Sequence, residues 1–245
     1  MNDWLFDLGN SRFKVAPLWS DGKVGPSDAW LHAADPLDGE SMERLPRGAT
    51  AWLASVAAAD RTGTIVTALR ERFTCVRIAR TSSSCAGVRI AYPDPARLGV
   101  DRFLALLAAH TLHCDTVVVG VGTALTLDVL DRDGIHHGGR IAASPTTMRQ
   151  ALHERAAQLP ETGGVYREFA DDTDDSLASG CDGAAIALIE RTVRQAEKRL
   201  GRPPSLLMHG GGAEALLPEL PMAVLRQKLV LEGLAVWAAQ EHVPE

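Results

Sequence analysis

Apolar and polar positions along the chain fall into two runs of similar order. An apolar stretch from Trp4 to Phe6 ends at Asp7, Gly9, Asn10 and Ser11 follow, and an alternating stretch continues through Phe13 and Val15. This pattern predicts strand, tight turn and strand over 3–8 and 11–18, because side chains alternate faces along a strand and small polar residues punctuate it. Gly9-Asn10 suits a turn with positive φ. Residues 117–130, VVVGVGTALTLDVL, repeat the shape, and a shift of 113 places Gly9 on Gly122, Asn10 on Thr123 and Asp7 on Gly120. Asp21-Gly22 and Asp133-Gly134 are the turns expected to close each second strand. Two copies of one supersecondary unit predict a duplicated fold.

Between the copies, a third strand is expected near 25–32 and a loop with a short helix over 33–48, punctuated by Pro36, Pro46 and Gly48. A buried strand follows at 51–58, a helix at 64–73, a strand at 75–79 and a polar loop at 82–84. Pro93 and Pro95 exclude a continuous helix or a central strand across 86–102. Asp101 then opens a helix whose Phe103, Leu106, Leu107 and His110 share one face. The second half predicts strands at 116–121, 124–131 and 136–142. Ser144 as cap and Pro145 at the first helical position open a helix to about Leu159. A long helix over 176–200 ends at Gly201, before Pro203-Pro204. Strands at 205–208 and 222–225 and a helix at 228–240 complete the chain. The expected fold is α/β, with two duplicated ribonuclease-H-like domains at 1–113 and 114–245.

Composition narrows the function. Of 245 residues, 46% are apolar and 23% charged, as in ordinary globular proteins, and the net charge of −6 gives no bulk support to a nucleic-acid partner. Cys75, Cys85, Cys114 and Cys181 form no C-x-x-C pair, so neither a zinc site nor a disulfide framework is indicated, and a reducing cytoplasm fits. No basic segment precedes an apolar core at the start, and no apolar run reaches 18 residues, so neither a secretory leader nor a membrane span is expected.

The candidate chemistry sits at the turns. A turn of Gly, Asn and Ser lets backbone N–H groups approach a phosphate, and two such turns facing each other across a cleft could grip a polyphosphate. Two ordinary hairpins are the plainer alternative. Asp7, at a strand end, could hold Mg²⁺ or its water, and Lys14 could add positive charge. Asp101 could act as a base or simply complement the helix dipole. Arg102 could fork onto a substrate carboxylate or form a surface ion pair. Tyr92 could be a core aromatic with a polar tip. Thr173 lies in the acidic run 171–175, which reads as a solvated helix start. His136-His137 reads as an exposed hairpin turn. Gly210-x-Gly212-x-x-Ala215 fits a dinucleotide fingerprint, but the acidic residue 20 positions on, Glu232, falls inside the last helical pattern, so a glycine turn against adenosine is the better reading. No G-x-x-x-x-G-K-[ST] is present, which excludes a P-loop kinase at the motif level.

The ordered set DLGNSRFK at 7–14, GVRIAY at 87–92, LGVDRF at 98–103, GTALTLD at 122–128, GG at 138–139, TDDSLASG at 173–180 and HGGGAE at 209–214 resembles the type III pantothenate kinases, which include the Bvg accessory factors. The resemblance covers nearly the whole chain. It implies the actin, Hsp70 and sugar-kinase superfamily, with an ATP cleft between two ribonuclease-H-like domains. It also implies ATP-dependent phosphorylation of pantothenate, the first step of coenzyme A biosynthesis. Asp7, Leu8, Gly9, Asn10, Ser11, Arg12, Phe13 and Lys14 match the family's first phosphate-binding segment, and Thr123 matches an ATP contact. Tyr92, Gly99, Val100, Asp101, Arg102 and Thr173 match pantothenate-binding positions, with Asp101 as catalytic base. A homodimer, Mg²⁺ and a monovalent cation (K⁺ or NH₄⁺) are implied as well. Two departures stand out. Gly120 replaces an acidic residue that helps hold the monovalent cation, which puts that cation in doubt, and Ala143-Ser144 replaces a Pro-Gly pair. Gly120 also leaves open an alternative: a catalytically weak relative acting as a binding or regulatory protein.

Overall fold

In the computed structural model, which describes residues 2–31 and 43–241, the first apolar run is strand β1 (Asp3–Leu8). It pairs antiparallel with β2 (Arg12–Leu18), and β2 pairs antiparallel with β3 (Asp28–Leu31). On its other side β1 runs parallel to β4 (Gly48–Ser55), which runs parallel to β5 (Phe73–Ile78), giving the order β3-β2-β1-β4-β5. Helix α1 (Ala59–Arg70) is the crossover from β4 to β5. Most of the loop and helix expected over 33–48 lies outside the described residues.

The strand alternation sorts this sheet into two faces. Phe6, Leu8, Phe13, Val15, Ala51 and Leu53 form one core with Ile65, Val66 and Leu69 of α1. Asp7 and Lys14 are register partners and therefore share the opposite face with Trp52. The expected 82–84 loop instead runs into a small hairpin of β6 (Ser84–Cys85) and β7 (Val88–Arg89). Beyond a 3₁₀ turn at Pro95–Arg97, helix α2 (Val100–His110) is buried along nearly its whole length.

The second copy follows the same plan. Strands β8 (Thr116–Val121), β9 (Ala124–Leu130), β10 (His136–Ala143), β11 (Ser205–His209) and β12 (Ala223–Leu225) take the order β10-β9-β8-β11-β12. Here too the first pair is antiparallel and the later pairs are parallel. Strands β1 and β8 are offset by 113 residues, as the repeat requires. Val117, Val119, Val121, Leu125, Leu127, Leu206 and Met208 pack on Ala185, Ile186 and Ile189 of helix α4 (Thr173–Leu200). The helix before it, α3 (Pro145–Arg155), starts as expected: the Ser144 Oγ accepts the Thr147 N–H at 3.3 Å, with Pro145 next to the cap. At α4, Asp172 accepts the Asp175 N–H at 2.8 Å, so the acidic run does open a helix. Gly201 closes it with φ +73°, in the left-handed region where glycine carries no Cβ penalty. Helix α5 (Ala213–Leu216) follows the glycine turn after β11.

Chain packing forms two compact units. One contains the chain up to His113 together with Asp133–His136 and the chain from Lys228 on, and the other contains Cys114–Arg132 and His137–Gln227. The final helix, α6 (Leu229–Glu241), thus packs with the first half rather than with the segment it follows. Its buried residues are apolar around the helix, so it needs partners on several sides. Helix α2 supplies one: a Cβ on Gly233 would lie 1.8 Å from the Leu104 carbonyl oxygen, so the two backbones touch. Trp52 supplies another, edge-on to Trp237 at 5.8 Å between centroids.

Candidate active site

In the first unit, the turn joining β1 to β2 is closed by the Gly9 N–H donating to the Arg12 carbonyl at 3.0 Å. Neither Gly9 nor Asn10 has positive φ, contrary to the expectation; the three-residue link over 9–11 closes without the mirror-image geometry a two-residue turn demands. The glycine serves close approach instead, because a Cβ there would lie 3.2 Å from the Arg12 oxygen. Arg61 of α1 donates to the Asn10 carbonyl at 3.1 Å and braces the turn, a role the sequence did not reveal. Asn10, Ser11 and Arg12 are exposed and open to a ligand. Leu8 and Phe13 are core residues, so only their backbone is available to one.

Asp7 sits directly behind this turn, 9% exposed, and burial pushes its carboxyl up from the usual 3.8 to about 6. Lys14, its register partner, pulls in the opposite direction, and Asp101 pushes it higher still. Asp7 and Asp101 are therefore near enough to interact, although 94 positions separate them in sequence.

Asp101 is placed by the start of α2. Gly99 is the cap residue, and the Asp101 carboxylate accepts the Arg102 N–H at 2.8 Å. A Cβ on Gly99 would lie 2.7 Å from that carboxylate oxygen, so glycine there keeps the carboxylate in position. The preceding loop is fixed from two sides: Asp94 caps the 3₁₀ turn through the Ala96 N–H, and Thr81 donates to the Leu98 carbonyl at 2.8 Å. Val100 is mostly buried.

Arg102 is no surface ion-pair residue: it is 6% exposed and donates to the Tyr92 hydroxyl at 3.3 Å, with its guanidinium carbon 5.9 Å from the ring centroid. Tyr92 in turn stacks on His136, with centroids 6.1 Å apart and planes 6° from parallel. His136 is not in an exposed turn, as the sequence suggested, but 2% exposed at the start of β10. Its Nδ1 accepts the Ala91 N–H at 3.3 Å, which leaves the ring proton of a neutral imidazole on Nε2. The structure thus joins Asp7, Asp101, Arg102 and Tyr92 in the first unit and adds His136 behind them. The only sequence signal for His136 was its position two residues after the Asp133-Gly134 turn, where Gly134 has φ +82°.

The remaining candidates lie in the second unit. Thr123 is exposed at the β8–β9 turn, and its carbonyl accepts the Thr147 hydroxyl at 2.6 Å. Thr173 is exposed at the first turn of α4. Gly120 pairs with Thr126 of β9 on one side and His209 of β11 on the other. Among the described residues, no group of three or more His, Cys, Asp or Glu side chains could hold a metal, and no helix is long and apolar enough to cross a membrane.

The type III pantothenate kinase family profile matches residues 4–195. A type III pantothenate kinase of Xanthomonas campestris pv. campestris (strain B100) is 61% identical over 245 residues, covering all of both chains. One of Stenotrophomonas maltophilia (strain K279a) is 61% identical over 241 residues, covering 98% of this chain and 99% of its own. Among solved structures, a Baf family protein of Campylobacter jejuni superposes with a TM-score of 0.64 at 18% identity, over 98% of this chain and 100% of its own. The same fold is seen in a putative 2-dehydro-3-deoxygalactonokinase protein of Sinorhizobium meliloti, with a TM-score of 0.59 at 14% identity, over 99% of this chain and 98% of its own.

Proposed function

Because the chain belongs to the type III pantothenate kinase family, we propose that it transfers the γ-phosphoryl group of ATP to the 4′-hydroxyl of pantothenate. The product is 4′-phosphopantothenate, which feeds coenzyme A biosynthesis. The observation that carries the mechanism is the Asp101 carboxylate, fixed at the head of α2 against Gly99 and close enough to Asp7 to raise its pKa.

Phosphoryl transfer passes through a loose transition state, so placing the reactants and neutralising charge supply most of the catalysis. The pantothenate hydroxyl oxygen attacks the γ-phosphorus, the bond to the ADP oxygen breaks, and the hydroxyl proton passes to Asp101. A carboxylate needs no raised pKa for this if its oxygen is already aimed. Gly99, Val100, Arg102, Tyr92 and Thr173 are the proposed pantothenate contacts. Arg102 suits the pantothenate carboxylate, because a guanidinium fork matches a carboxylate in shape and charge. Tyr92, held between Arg102 and His136, fixes the orientation of that fork.

On the nucleotide side, the segment from Gly9 to Lys14 is the proposed phosphate-binding turn, with the exposed Asn10, Ser11 and Arg12 at its tip; in the second unit, Thr123 is a proposed ATP-binding residue. Asp7 would hold Mg²⁺: a single carboxylate at a strand end beside the phosphate turn suits an ion that keeps much of its own hydration. When bound, Mg²⁺ screens the phosphate charge. A homodimer is supported by large apolar side chains left in solvent on the second unit, with Phe169 93% and Val165 65% exposed. A cytoplasmic location fits the four free cysteines. A coupled assay of ADP release, run with pantothenate, with a hexose and with no acceptor, tests the reading. Release only with pantothenate is expected; equal release in all three would refute it.

A further inference from the structure

Three adjacent strands of the second unit align Thr126, Gly120 and His209 in one register row at the carboxyl ends of β8 and β11. Ligands of open α/β sheets bind beyond such strand ends. The row is tightly filled: a Cβ on Gly120 would lie 2.7 Å from the Thr126 hydroxyl oxygen, 3.0 Å from His209 Nε2 and 3.2 Å from Cε1. The imidazole and hydroxyl therefore occupy the space a side chain on residue 120 would need.

The corresponding row of the first unit is Lys14, Asp7 and Ala54. The two copies thus differ in the chemistry of this row. The first copy carries a carboxylate on its central strand. The second has no side chain there and places a nitrogen heterocycle and a hydroxyl on either side. Beyond His209 the chain turns through Gly210, at φ +96°, and the Gly212 N–H donates to the Val121 carbonyl at 3.0 Å. His209 is thereby held beside the end of β8, one residue before the Gly122-Thr123 turn. The carboxylate on this face of the sheet is Asp128, two residues along β9 and 2% exposed.

A monovalent cation of the K⁺ kind needs several oxygen ligands, and imidazole is a poor partner for so hard an ion. Thr126 and His209 offer one side-chain oxygen between them and so make a poor site for such an ion. They fit phosphate oxygens, which accept hydrogen bonds from both hydroxyl and imidazole N–H. We propose that His209, with Thr126, is the second unit's phosphate-binding pair, and that it takes the place of the family's monovalent cation, making nucleotide binding independent of K⁺ and NH₄⁺. This rests on the ATP-kinase reading above.

The test is calorimetry of the full chain with Mg²⁺-ATP and with adenosine, in KCl and in choline chloride at one ionic strength. For the unaltered chain, the ATP affinity should agree between the two salts within about twofold. His209→Ala should lose at least about tenfold in ATP affinity while adenosine binding moves less than about twofold, because the lost hydrogen bond goes to phosphate. His209→Gln, which keeps an N–H donor and a similar length, should recover most of the loss and guards against simple misfolding. In Gly120→Asp/Thr126→Ala/His209→Ala, which restores a carboxylate and removes both side chains that crowd it, K⁺ should strengthen ATP binding. A K⁺ response of fivefold or more in the unaltered chain, set at about 1 kcal/mol, overturns the inference, as does an equal loss of ATP and adenosine in His209→Ala. If those results accompany intact pantothenate-dependent turnover, the kinase reading survives. Absence of ATP binding in either salt overturns both.

Discussion

Asp7 offers a prediction whose size follows from its surroundings. Its carboxyl is buried behind the phosphate turn with Lys14 beside it, and its pKa stands at about 6 instead of 3.8. The folded chain therefore holds the Asp7 proton more tightly than the unfolded chain does. That preference is fully present below pH 4 and is lost as pH rises through about 6, because the folded state must then bury a charge the unfolded state solvates. A rise of this size corresponds to about 3 kcal/mol, an upper figure because relaxation and water entry reduce it. Asp7→Asn removes the ionisation and keeps the shape. In metal-free buffer with EDTA, the variant should match the unaltered chain in stability near pH 4. It should become progressively more stable between pH 4 and 6, and lead by up to about 3 kcal/mol above pH 7. Thermal and urea unfolding of both proteins across pH 4–8 measures this. A stability difference that stays constant with pH would refute the reasoning, since only a titrating Asp7 produces the slope. The same variant should weaken Mg²⁺-ATP binding, so that a residue costly to the empty fold is retained for its ligand.

Asp101→Asn should reduce pantothenate phosphorylation by at least about a hundredfold while leaving ATP affinity nearly unchanged, read by ADP release and by calorimetry; near-normal turnover would remove Asp101 as base. Tyr92→Phe deletes the hydroxyl that receives the Arg102 N–H. It should raise the KM for pantothenate several-fold, on the order of 1 kcal/mol, with kcat much less affected, in steady-state kinetics at saturating ATP. Gly233→Ala drives a methyl into the Leu104 carbonyl, a backbone atom that cannot rotate away. It should cost roughly 1–3 kcal/mol in urea unfolding, and a neutral result would mean that α2 and α6 separate easily.

The duplication was legible because it is written locally. Alternation around each Gly-containing turn marks the first hairpin of each copy, and the offset of 113 carries β1 onto β8. Ser144 with Pro145 likewise shows itself within four residues, because caps are local hydrogen bonds, and the acidic run 171–175 marks a helix start, although the helix begins at Thr173 rather than at the expected 176. What escaped is non-local. The α6 helix looks like any apolar helix, and nothing in its sequence says that Gly233 meets Leu104 more than a hundred positions earlier. His136 looked like a polar turn residue, yet it is buried beneath Tyr92 because Asp133–His136 belong to the first unit. His209 carried a faint signal, a polar residue ending the apolar run SLLM just before three glycines, but its place over Gly120 depends on the pairing of β8 with β11. The elevated pKa of Asp7 required its burial, which no spacing conveys.

The most direct measurement is the mass and amount of the acceptor product. Purified chain is incubated with Mg²⁺-ATP and pantothenate, and the mixture is resolved by liquid chromatography and mass spectrometry alongside an Asp101→Asn reaction. The account predicts one singly phosphorylated pantothenate for each ADP formed, with the phosphate on the 4′-oxygen, and no such product from the variant. ADP formed without phosphorylated pantothenate, or equal product from the Asp101→Asn chain, would contradict it.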